Sequence, residues 1–285
     1  DYVNREHYAN PSSIYSQGRK AKSLIEKARN QVADAIGAEA EQIFFTSGGT
    51  EANNQVLWTK AGDKKKHIIV SSIEHPAILN VLKKIEPHGV TYSLLPVNTD
   101  GTVEIDFLKN LIHENTGLIS IMLANNEVGT IQPVQEIVKI TRSLNIPFHT
   151  DAVQTLGKIP IDVNSLGVEY LSLSAHKFYG PKGIGALFVK RKKMVKSLIV
   201  GGDQEYGIRG GTENIAGIVG MGLAAELATQ NQKNCHTKLK NLEEYFLKKL
   251  TSHFPDVKRN GSPDNSLPGL ISISFPGHKS DIIMA

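Results

Sequence analysis

Short apolar runs that alternate with amphipathic segments constrain the fold of this chain more than any other feature of its sequence. The run 118–123 shows no clean polar face, which is typical of a strand covered by helices on both sides. Further strands are predicted near residues 43–45, 67–70, 90–95, 146–149, 169–173 and 185–189. The spacing of apolar residues between them predicts helices over 18–36, from Thr50, from Pro76, and over 104–113, 133–144, 213–229 and 236–253. We therefore expect an α/β fold with a mostly parallel sheet.

The last residues follow a different pattern. Residues 270–275 alternate like a strand with one wet face, and Ser280 and Asp281 have the character of a helix N-cap. The chain ends four residues later, and a helix of one turn is not stable by itself. We therefore expect a truncated chain, in which residues 1–234 form a large domain and residues 235–285 begin a smaller α+β domain that is incomplete.

The composition excludes several classes of protein. Hydrophobic residues make up 40% and charged residues 21% of the chain, which is typical of a globular protein in water. No apolar run is long enough to span a bilayer, and residues 1–5 lack the apolar core of a signal peptide. Cys235 is the single cysteine, so no internal disulfide can form. These features predict a cytoplasmic protein without membrane contact.

Two basic runs stand out against the mild net charge of +4: residues 64–66, and residues 190–193 with Lys196. Such runs are most often solvated surface, and the alternative is a docking patch for an acidic protein or an RNA. Nucleic-acid-binding proteins usually combine basic patches with an aromatic platform or a recognition motif. The sequence shows neither of these, so we expect no direct contact with nucleic acid.

Polar groups follow five of the predicted strands. They are residues 46–51 after the first strand, Glu74 and His75 after the second, residues 125–127, Asp151 with Gln154, and Ser174 with His176 and Lys177. In open α/β sheets, ligands bind in the crevice beyond the carboxyl ends of the strands. The sequence therefore predicts one polar site at that edge of the sheet.

The first of these groups contains a glycine-rich turn, Ser47-Gly48-Gly49-Thr50, that leads from a strand into a helix. Free N–H groups and the positive end of the helix dipole make such a turn suitable for a phosphate. A glycine-rich turn is also common for purely structural reasons, so it does not establish phosphate binding by itself.

Asp151 and Lys177 each have a structural and a functional interpretation. Asp151 could cap a helix or form a buried ion pair, or it could keep the ring nitrogen of a bound cofactor protonated. Lys177 could be a surface lysine, or an amine that is held away from water beside an apolar strand and attacks an aldehyde. His75 and His176 could be core residues, acid–base groups or a stack for an aromatic cofactor. Metal binding is disfavoured because no Cys or Glu stands at ligand spacing around them.

Seven strings, in order along the chain, point to one family. They are NPSS (10–13), TSGGTEANN (46–54), EH (74–75), NNEVG (125–129), HTDAVQ (149–154), SAHKFYGPKG (174–183) and RGGTEN (209–214). The set resembles the NifS/IscS-type cysteine desulfurases, which have the fold-type I architecture of pyridoxal-phosphate (PLP) enzymes. The resemblance covers almost the whole chain, and the ordered set is specific although no single string is decisive.

The resemblance implies a role for each matching residue. Lys177 would hold PLP as a Schiff base and then move the α-proton of the substrate. Asp151 would bind the ring nitrogen and Gln154 the ring hydroxyl. His75 would stack on the ring and assist proton transfer, and Asn126 would line the cofactor and the substrate.

The phosphate end of the cofactor is implied to lie in the remaining matches. Gly49, Thr50, Ser174 and His176 would hold the phosphate, with Ala175 in the same cofactor-binding segment. Thr212 would reach the phosphate bound by the neighbouring subunit, which implies a homodimer.

The resemblance also implies the reaction, which converts L-cysteine to L-alanine. Sulfur would pass as a persulfide to an acceptor protein for iron–sulfur cluster assembly or tRNA thiolation. The family's nucleophilic cysteine and the arginine for the substrate carboxylate are expected beyond residue 285, and Cys235 is not a substitute. Residues 1–285 alone are therefore expected to be inactive. Gly210, where serine is usual, and Asp203, in a run that is usually all glycine, are smaller departures.

Two other functions remain open at this point. Another fold-type I lyase or aminotransferase, such as a selenocysteine lyase, would use the same cofactor residues. A non-catalytic scaffold for sulfur-transfer partners would be consistent with the absence of the expected nucleophile between residues 1 and 285.

Overall fold

A computed structural model describes residues 9–284. The main sheet has seven strands in the order β1–β7–β6–β5–β4–β2–β3. Their bounds are β1 Ile43–Thr46, β2 His67–Ser71, β3 Thr91–Leu95, β4 Thr116–Ser120, β5 Phe148–Asp151, β6 Tyr170–Ser174 and β7 Gly185–Val189. Strands β2 to β6 run parallel, and β7 runs antiparallel to both β6 and β1. The prediction of an α/β fold with a mostly parallel sheet is confirmed.

Helices connect the strands and cover the sheet. Their bounds are α1 Ser16–Asp34, α2 Gly49–Ala61, α3 Pro76–Ile85, α4 Ile105–Leu111, α5 Val134–Ser143, α6 Val163–Leu166, α7 Ile215–His253 and α8 Ser280–Met284. None of the helices within residues 9–284 has the combination of length and apolarity that a membrane crossing requires.

Adjacent residues of the strands enter two separate apolar clusters. Phe45 and Ile69 belong to the cluster that includes residues of α1, α5 and α7, whereas Phe44 and Ile68 belong to the cluster formed with α2 and α3. Side chains alternate between the faces of a strand, so a sheet covered on both faces needs apolar residues at every position. This explains the apolar runs that lack a polar face.

The prediction of two helices near 213–229 and 236–253 is wrong, because α7 is one continuous helix of 39 residues. The polar stretch 230–235 suggested a break, but it contains neither Gly nor Pro. Polar residues such as Gln and Lys propagate a helix well. The predicted domain boundary at 234/235 therefore falls inside this helix, and the division into two domains stays a prediction.

The last part of the described chain forms a second sheet. Strands β8 (Lys258–Asn260) and β9 (Ser272–Ser274) pair antiparallel. The structure confirms a strand within 270–275 and a helix that begins at Ser280, whereas β8 was not predicted. The Arg259 Nη2 atom lies 2.6 Å from Glu243 Oε1 on α7, which ties this small sheet to the long helix.

Candidate active site

A pocket of about 230 Å³ opens at the carboxyl edge of the parallel strands. Nine of the predicted site residues line it: Gly49, Thr50, His75, Asn126, Asp151, Gln154, Ser174, His176 and Lys177. They come from the start of α2, from the last residues of β5 and β6, and from the segments that follow β2, β4, β5 and β6. The structure thus brings together side chains that are up to 128 positions apart, counted from Gly49 to Lys177.

Asp151 ends β5 and is almost completely buried. Its Oδ2 accepts a hydrogen bond of 2.6 Å from Asn53 Nδ2, and its Oδ1 accepts one of 3.0 Å from the Val153 N–H. Burial raises the pKa of the Asp151 carboxyl, while these two hydrogen bonds and the positive charge of Lys177 act in the opposite direction. A carboxyl group in this environment suits a protonated nitrogen partner, which would hold it in the charged form.

Lys177 lies in a 3₁₀ turn, Ala175–Phe178, directly after β6. Its charge acts on Asp151, so the amine and the carboxylate face the same pocket. The expectation that this amine lies in a dry crevice is wrong for residues 9–284, because the Lys177 side chain is exposed there. The short turn carries the side chain beyond the strand, and no other described segment covers it.

A second lysine lies close to the first, and the sequence interpretation missed it. Lys158 Nζ donates a 3.4 Å hydrogen bond to Gln154 Oε1. Burial lowers the pKa of Lys158, and the charge of Lys177 lowers it further. The Lys158 amine therefore orients Gln154, which is the predicted partner of the ring hydroxyl.

The glycine-rich turn lies at the N-terminus of α2, where the first N–H groups of a helix have no partner within the helix. A Cβ atom on Gly49 would lie 2.5 Å from Val153 Cγ2, so a side chain there would displace the wall of the pocket. Ser174 Oγ and His176 Nδ1 form a 3.0 Å hydrogen bond on the other side. Loss of solvation and the charges of Lys177 and Lys182 lower the pKa of His176, so at neutral pH it offers an uncharged ring.

His75 is the N-cap of α3, and its Nδ1 accepts a 3.1 Å hydrogen bond from the Ala77 N–H. This bond makes Nε2 the nitrogen that carries the proton in the neutral ring. Asn126 lies within a turn in which Asn125 Oδ1 accepts hydrogen bonds from the N–H groups of Glu127 and Val128, each at 2.9 Å. The side chains of His75 and Asn126 line both this pocket and an adjoining cavity of about 470 Å³ that reaches β8.

Two predicted site residues do not line the pocket. Ala175 is completely buried, and its N–H donates to Ile184 O at 3.1 Å, so neither its side chain nor its amide is available to a ligand here. Thr212 is exposed in the loop that follows β7. That loop is tied to the glycine-rich turn, because Arg209 Nε donates to Glu51 Oε1 at 3.1 Å and the Ser47 N–H donates to Glu51 Oε2 at 2.8 Å.

Besides Lys158, the sequence interpretation missed Asn53 and Met122 as site residues, and it placed Glu74 at the strand ends without giving it a role. Asn53 lies four positions after Gly49, on the same face of α2, and this helical spacing is a signal that could have identified it. Glu74 directly precedes His75, but its role depends on contacts with distant residues that no local pattern reveals. Within residues 9–284, no group of three or more His, Cys, Asp or Glu side chains could hold a metal ion.

One family model, described as "Aminotransferase class-V", matches residues 2–285 of the chain. The chain belongs to this family, among its cysteine desulfurases. A cysteine desulfurase IscS from Dictyoglomus turgidum is 48% identical over 274 residues, which are 95% of this chain and 70% of the relative.

Solved structures agree with this assignment. One described as a NifS-like protein matches with a TM-score of 0.95 and 39% identity over 99% of this chain and 78% of that one. Another, described as SspA in complex with cysteine, matches with a TM-score of 0.84 and 36% identity over 99% and 79%. The predictions of a fold-type I enzyme and of a PLP-dependent cysteine desulfurase are confirmed.

The cofactor of this family is PLP, and the pocket fits it. The space that a Cβ on Gly49 would fill lies beside Ser174 and would accept the phosphate end of the cofactor. The buried acid Asp151 lies at the same pocket with hydrogen bonds on both oxygens, where it can face a ring nitrogen. Lys177 lines the same pocket and would supply an amine for the aldehyde.

Proposed function

We propose that this chain forms the cofactor-binding part of a homodimeric enzyme that removes sulfur from L-cysteine and leaves L-alanine. The single observation that carries the proposal is the meeting of Lys177, Asp151 and the glycine-rich start of α2 at one pocket. The curated relative named cysteine desulfurase and the related structure in complex with cysteine support the choice of substrate.

Each residue of the pocket has a defined task in this proposal. PLP, when bound, supplies an electron sink for the charge left on the substrate's α-carbon. Lys177 Nζ holds the cofactor covalently and afterwards moves the α-proton. Asp151 keeps the ring nitrogen protonated, Gln154 binds the ring hydroxyl, and His75 covers the ring and presents its Nε2 proton to the reacting groups.

The phosphate and the substrate occupy opposite ends of the pocket. The N–H groups of Gly49 and Thr50, with Ser174 and His176, bind the phosphate at the positive end of α2. Asn126 lies at the junction with the adjoining cavity and contacts the substrate there.

The sulfur atom leaves the substrate for a cysteine thiolate outside residues 1–285, and it then passes as a persulfide to an acceptor protein. Cys235 is exposed on α7 and does not line the pocket, which supports a nucleophile elsewhere. We propose acceptors in iron–sulfur cluster assembly or tRNA thiolation, and a cytoplasmic location in keeping with a single unpaired cysteine.

A second copy of the chain completes the site in this proposal. Tyr179, two residues after Lys177, is 99% exposed, and Val200 in the loop that leads to Thr212 is 85% exposed. Contiguous apolar patches mark interaction surfaces, and we propose that these two side chains belong to one. A homodimer that covers them would also bring Thr212 of one copy to the phosphate of the other.

The decisive experiment treats the full-length holoenzyme with borohydride and maps the reduced cofactor by peptide mass spectrometry. We expect the label on Lys177, and a Lys177→Ala variant that has neither the yellow colour nor alanine production. The matched control is Lys182→Ala in the same segment, which should keep the colour. A label on Lys182, or a coloured and active Lys177→Ala variant, would refute the proposed site.

The substrate is tested by the products from a panel of amino acids. Alanine and sulfide from cysteine support the desulfurase, whereas turnover of selenocysteine without turnover of cysteine would identify a selenocysteine lyase. The fragment 1–285 should show no turnover of cysteine, and measurable turnover would show that the nucleophile lies within these residues.

A further inference from the structure

Glu74 lies between the end of β2 and His75, and its carboxyl group is buried with a relative exposure of 4%. Its Oε1 accepts two hydrogen bonds, one from Ser71 Oγ at 2.7 Å and one from the Met122 N–H at 2.8 Å. Its Oε2 is buried without a hydrogen-bond partner among residues 9–284. One oxygen therefore connects two segments that border the cofactor pocket, and the other has no donor.

The surroundings of Glu74 oppose a negative charge. In the described part of the chain, no Lys, Arg or His lies within salt-bridge distance of it. Asp151, which is another carboxyl group, acts on Glu74 and opposes its ionisation. Burial raises the pKa of Glu74 to about 8, and Asp151 raises it too, whereas the hydrogen bonds from Met122 and Ser71 lower it. A buried carboxyl without a cation is most stable in its neutral form.

The two segments that Glu74 joins follow the adjacent strands β2 and β4, and each contributes a residue to the lining of the pocket. Ser71 ends β2 and leads to His75, which caps α3 with its Nδ1. Met122 lines the pocket and follows β4. Through Oε1, the position of the His75 ring is coupled to the position of the Met122 wall.

We propose that Glu74 is a positioning residue that acts as a neutral acid: it fixes His75 and the Met122 wall around the cofactor, and it leaves Asp151 as the negative charge that faces the ring nitrogen. This inference rests on the proposed cofactor site. A second carboxylate near Asp151 would raise the pKa of Asp151 and favour its neutral form, whereas an uncharged acid accepts the same hydrogen bonds without that effect.

The test compares Glu74→Gln and Glu74→Ala in the full-length holoenzyme. Glutamine keeps an uncharged acceptor oxygen, so the Kd for PLP and the pH midpoint of the cofactor's absorbance band should stay within about twofold and a few tenths of a pH unit of wild type. Alanine removes the acceptor for both donors, so the Kd for PLP should rise about tenfold or more, with a fall in kcat larger than any change in KM.

Glu169→Gln is the matched control, because Glu169 also accepts a backbone hydrogen bond, from the Phe148 N–H at 3.0 Å, but does not line the pocket. It should leave both cofactor readouts unchanged. A Glu74→Gln variant that binds PLP but shifts the absorbance midpoint by about one pH unit would show that Glu74 is ionised and would overturn the proposal. A Glu74→Ala variant that only lowers the thermal midpoint, with unchanged PLP affinity, would overturn the positioning role.

A direct readout covers the case in which Glu74→Ala does not fold. The infrared difference between wild type and Glu74→Gln at pH 7 should contain the carbonyl band of a protonated carboxylic acid, and its absence would contradict the neutral form. If wild type binds no PLP on Lys177, the proposed function fails. If wild type binds PLP and only the Glu74 results differ from expectation, this inference alone fails.

Discussion

Asp151 and Asn53 show how much of the pocket's chemistry depends on single contacts. Asn53 Nδ2 donates to Asp151 Oδ2 at 2.6 Å, and both residues are buried. A hydrogen bond to a charged group contributes about 1.5–3 kcal/mol. This bond therefore offsets part of the cost of holding Asp151 ionised in the buried pocket.

Replacing Asn53 with leucine should weaken cofactor binding. The change keeps the volume but removes the donor, so burial would favour the protonated form of Asp151 more strongly. We expect the Kd for PLP to rise about 10- to 100-fold, measured by titrating the apoenzyme. Asn54→Ala is the control, because Asn54 Nδ2 donates to Thr50 O within the helix. Equal affinity in Asn53→Leu and wild type would mean that the contact does not support Asp151.

His149 is a buried titratable residue that links three strands. Its Nδ1 lies 2.8 Å from Ser120 Oγ on β4, and its Nε2 lies 3.0 Å from Ser172 Oγ on β6. Burial lowers the pKa of His149 to about 3. In the unfolded chain, a histidine has a pKa near 6.5. The unfolded state therefore becomes protonated at His149 at a much higher pH than the folded state does.

Because of His149, the free energy of unfolding should decrease as the pH is lowered. Below about pH 6.5, His149 takes up a proton in the unfolded state but stays neutral in the folded state. This difference lowers the free energy of unfolding by up to about 2 kcal/mol between pH 6.5 and pH 5. His149→Gln should reduce the loss measured by urea unfolding at pH 7.5 and pH 5, whereas exposed His278→Gln should not. An unchanged pH dependence in His149→Gln would contradict the buried neutral ring.

At the scale of elements, the long helix α7 joins the large sheet to the small one. Its first part packs tightly on α1, since a Cβ on Gly222 would lie 2.6 Å from Ala28 Cα. Its later part carries Glu243, which pairs with Arg259 on β8. A break near residue 235 would uncouple these two ends, so the continuity of the helix matters for how the adjoining cavity is formed.

Cys235 tests that continuity and also the identity of the nucleophile. Cys235→Pro should cost about 3 kcal/mol or more, because proline removes a hydrogen bond in the helix interior. Cys235→Ala should keep the stability within about 0.5 kcal/mol, since the residue is exposed. Chemical unfolding measures the stability of both variants.

In the full-length enzyme, Cys235→Ala should also retain alanine production. Loss of alanine production in this variant would make Cys235 the sulfur acceptor.

At the scale of the whole molecule, the fold brings distant polar segments together beyond the pocket. Arg29 on α1 donates to both carboxylate oxygens of Glu205, each at 2.8 Å, and Glu205 Oε2 also accepts from the Phe45 N–H at 2.7 Å. This buried network anchors the loop that leads to Thr212. The two basic runs also lie together, because Lys196 Nζ donates to Gly62 O at 2.7 Å, just before the run 64–66.

A shared site between two copies can be tested by mixing subunits. Suppose that Thr212 serves the partner's site. A hybrid of a Lys177→Ala subunit and a Thr212→Ala subunit then contains one fully intact site. Its PLP affinity should equal wild type, whereas the Thr212→Ala homodimer should bind PLP about tenfold more weakly. A hybrid as weak as that homodimer would place Thr212 in its own subunit's site, and a monomeric enzyme would exclude the arrangement.

The amino-acid sequence by itself determined the seven strands of the main sheet, most of the helices between them and the polar groups at the strand ends. Apolar periodicity, glycine turns and helix caps are local properties, so nine predicted site residues line the pocket. Tertiary structure alone decided that β1 pairs with β7, that Asn53 supports Asp151, that Glu74 bridges to Met122, and that Lys177 is exposed. These features depend on contacts between residues far apart in the chain or on which segments cover a side chain. No short stretch of sequence records either.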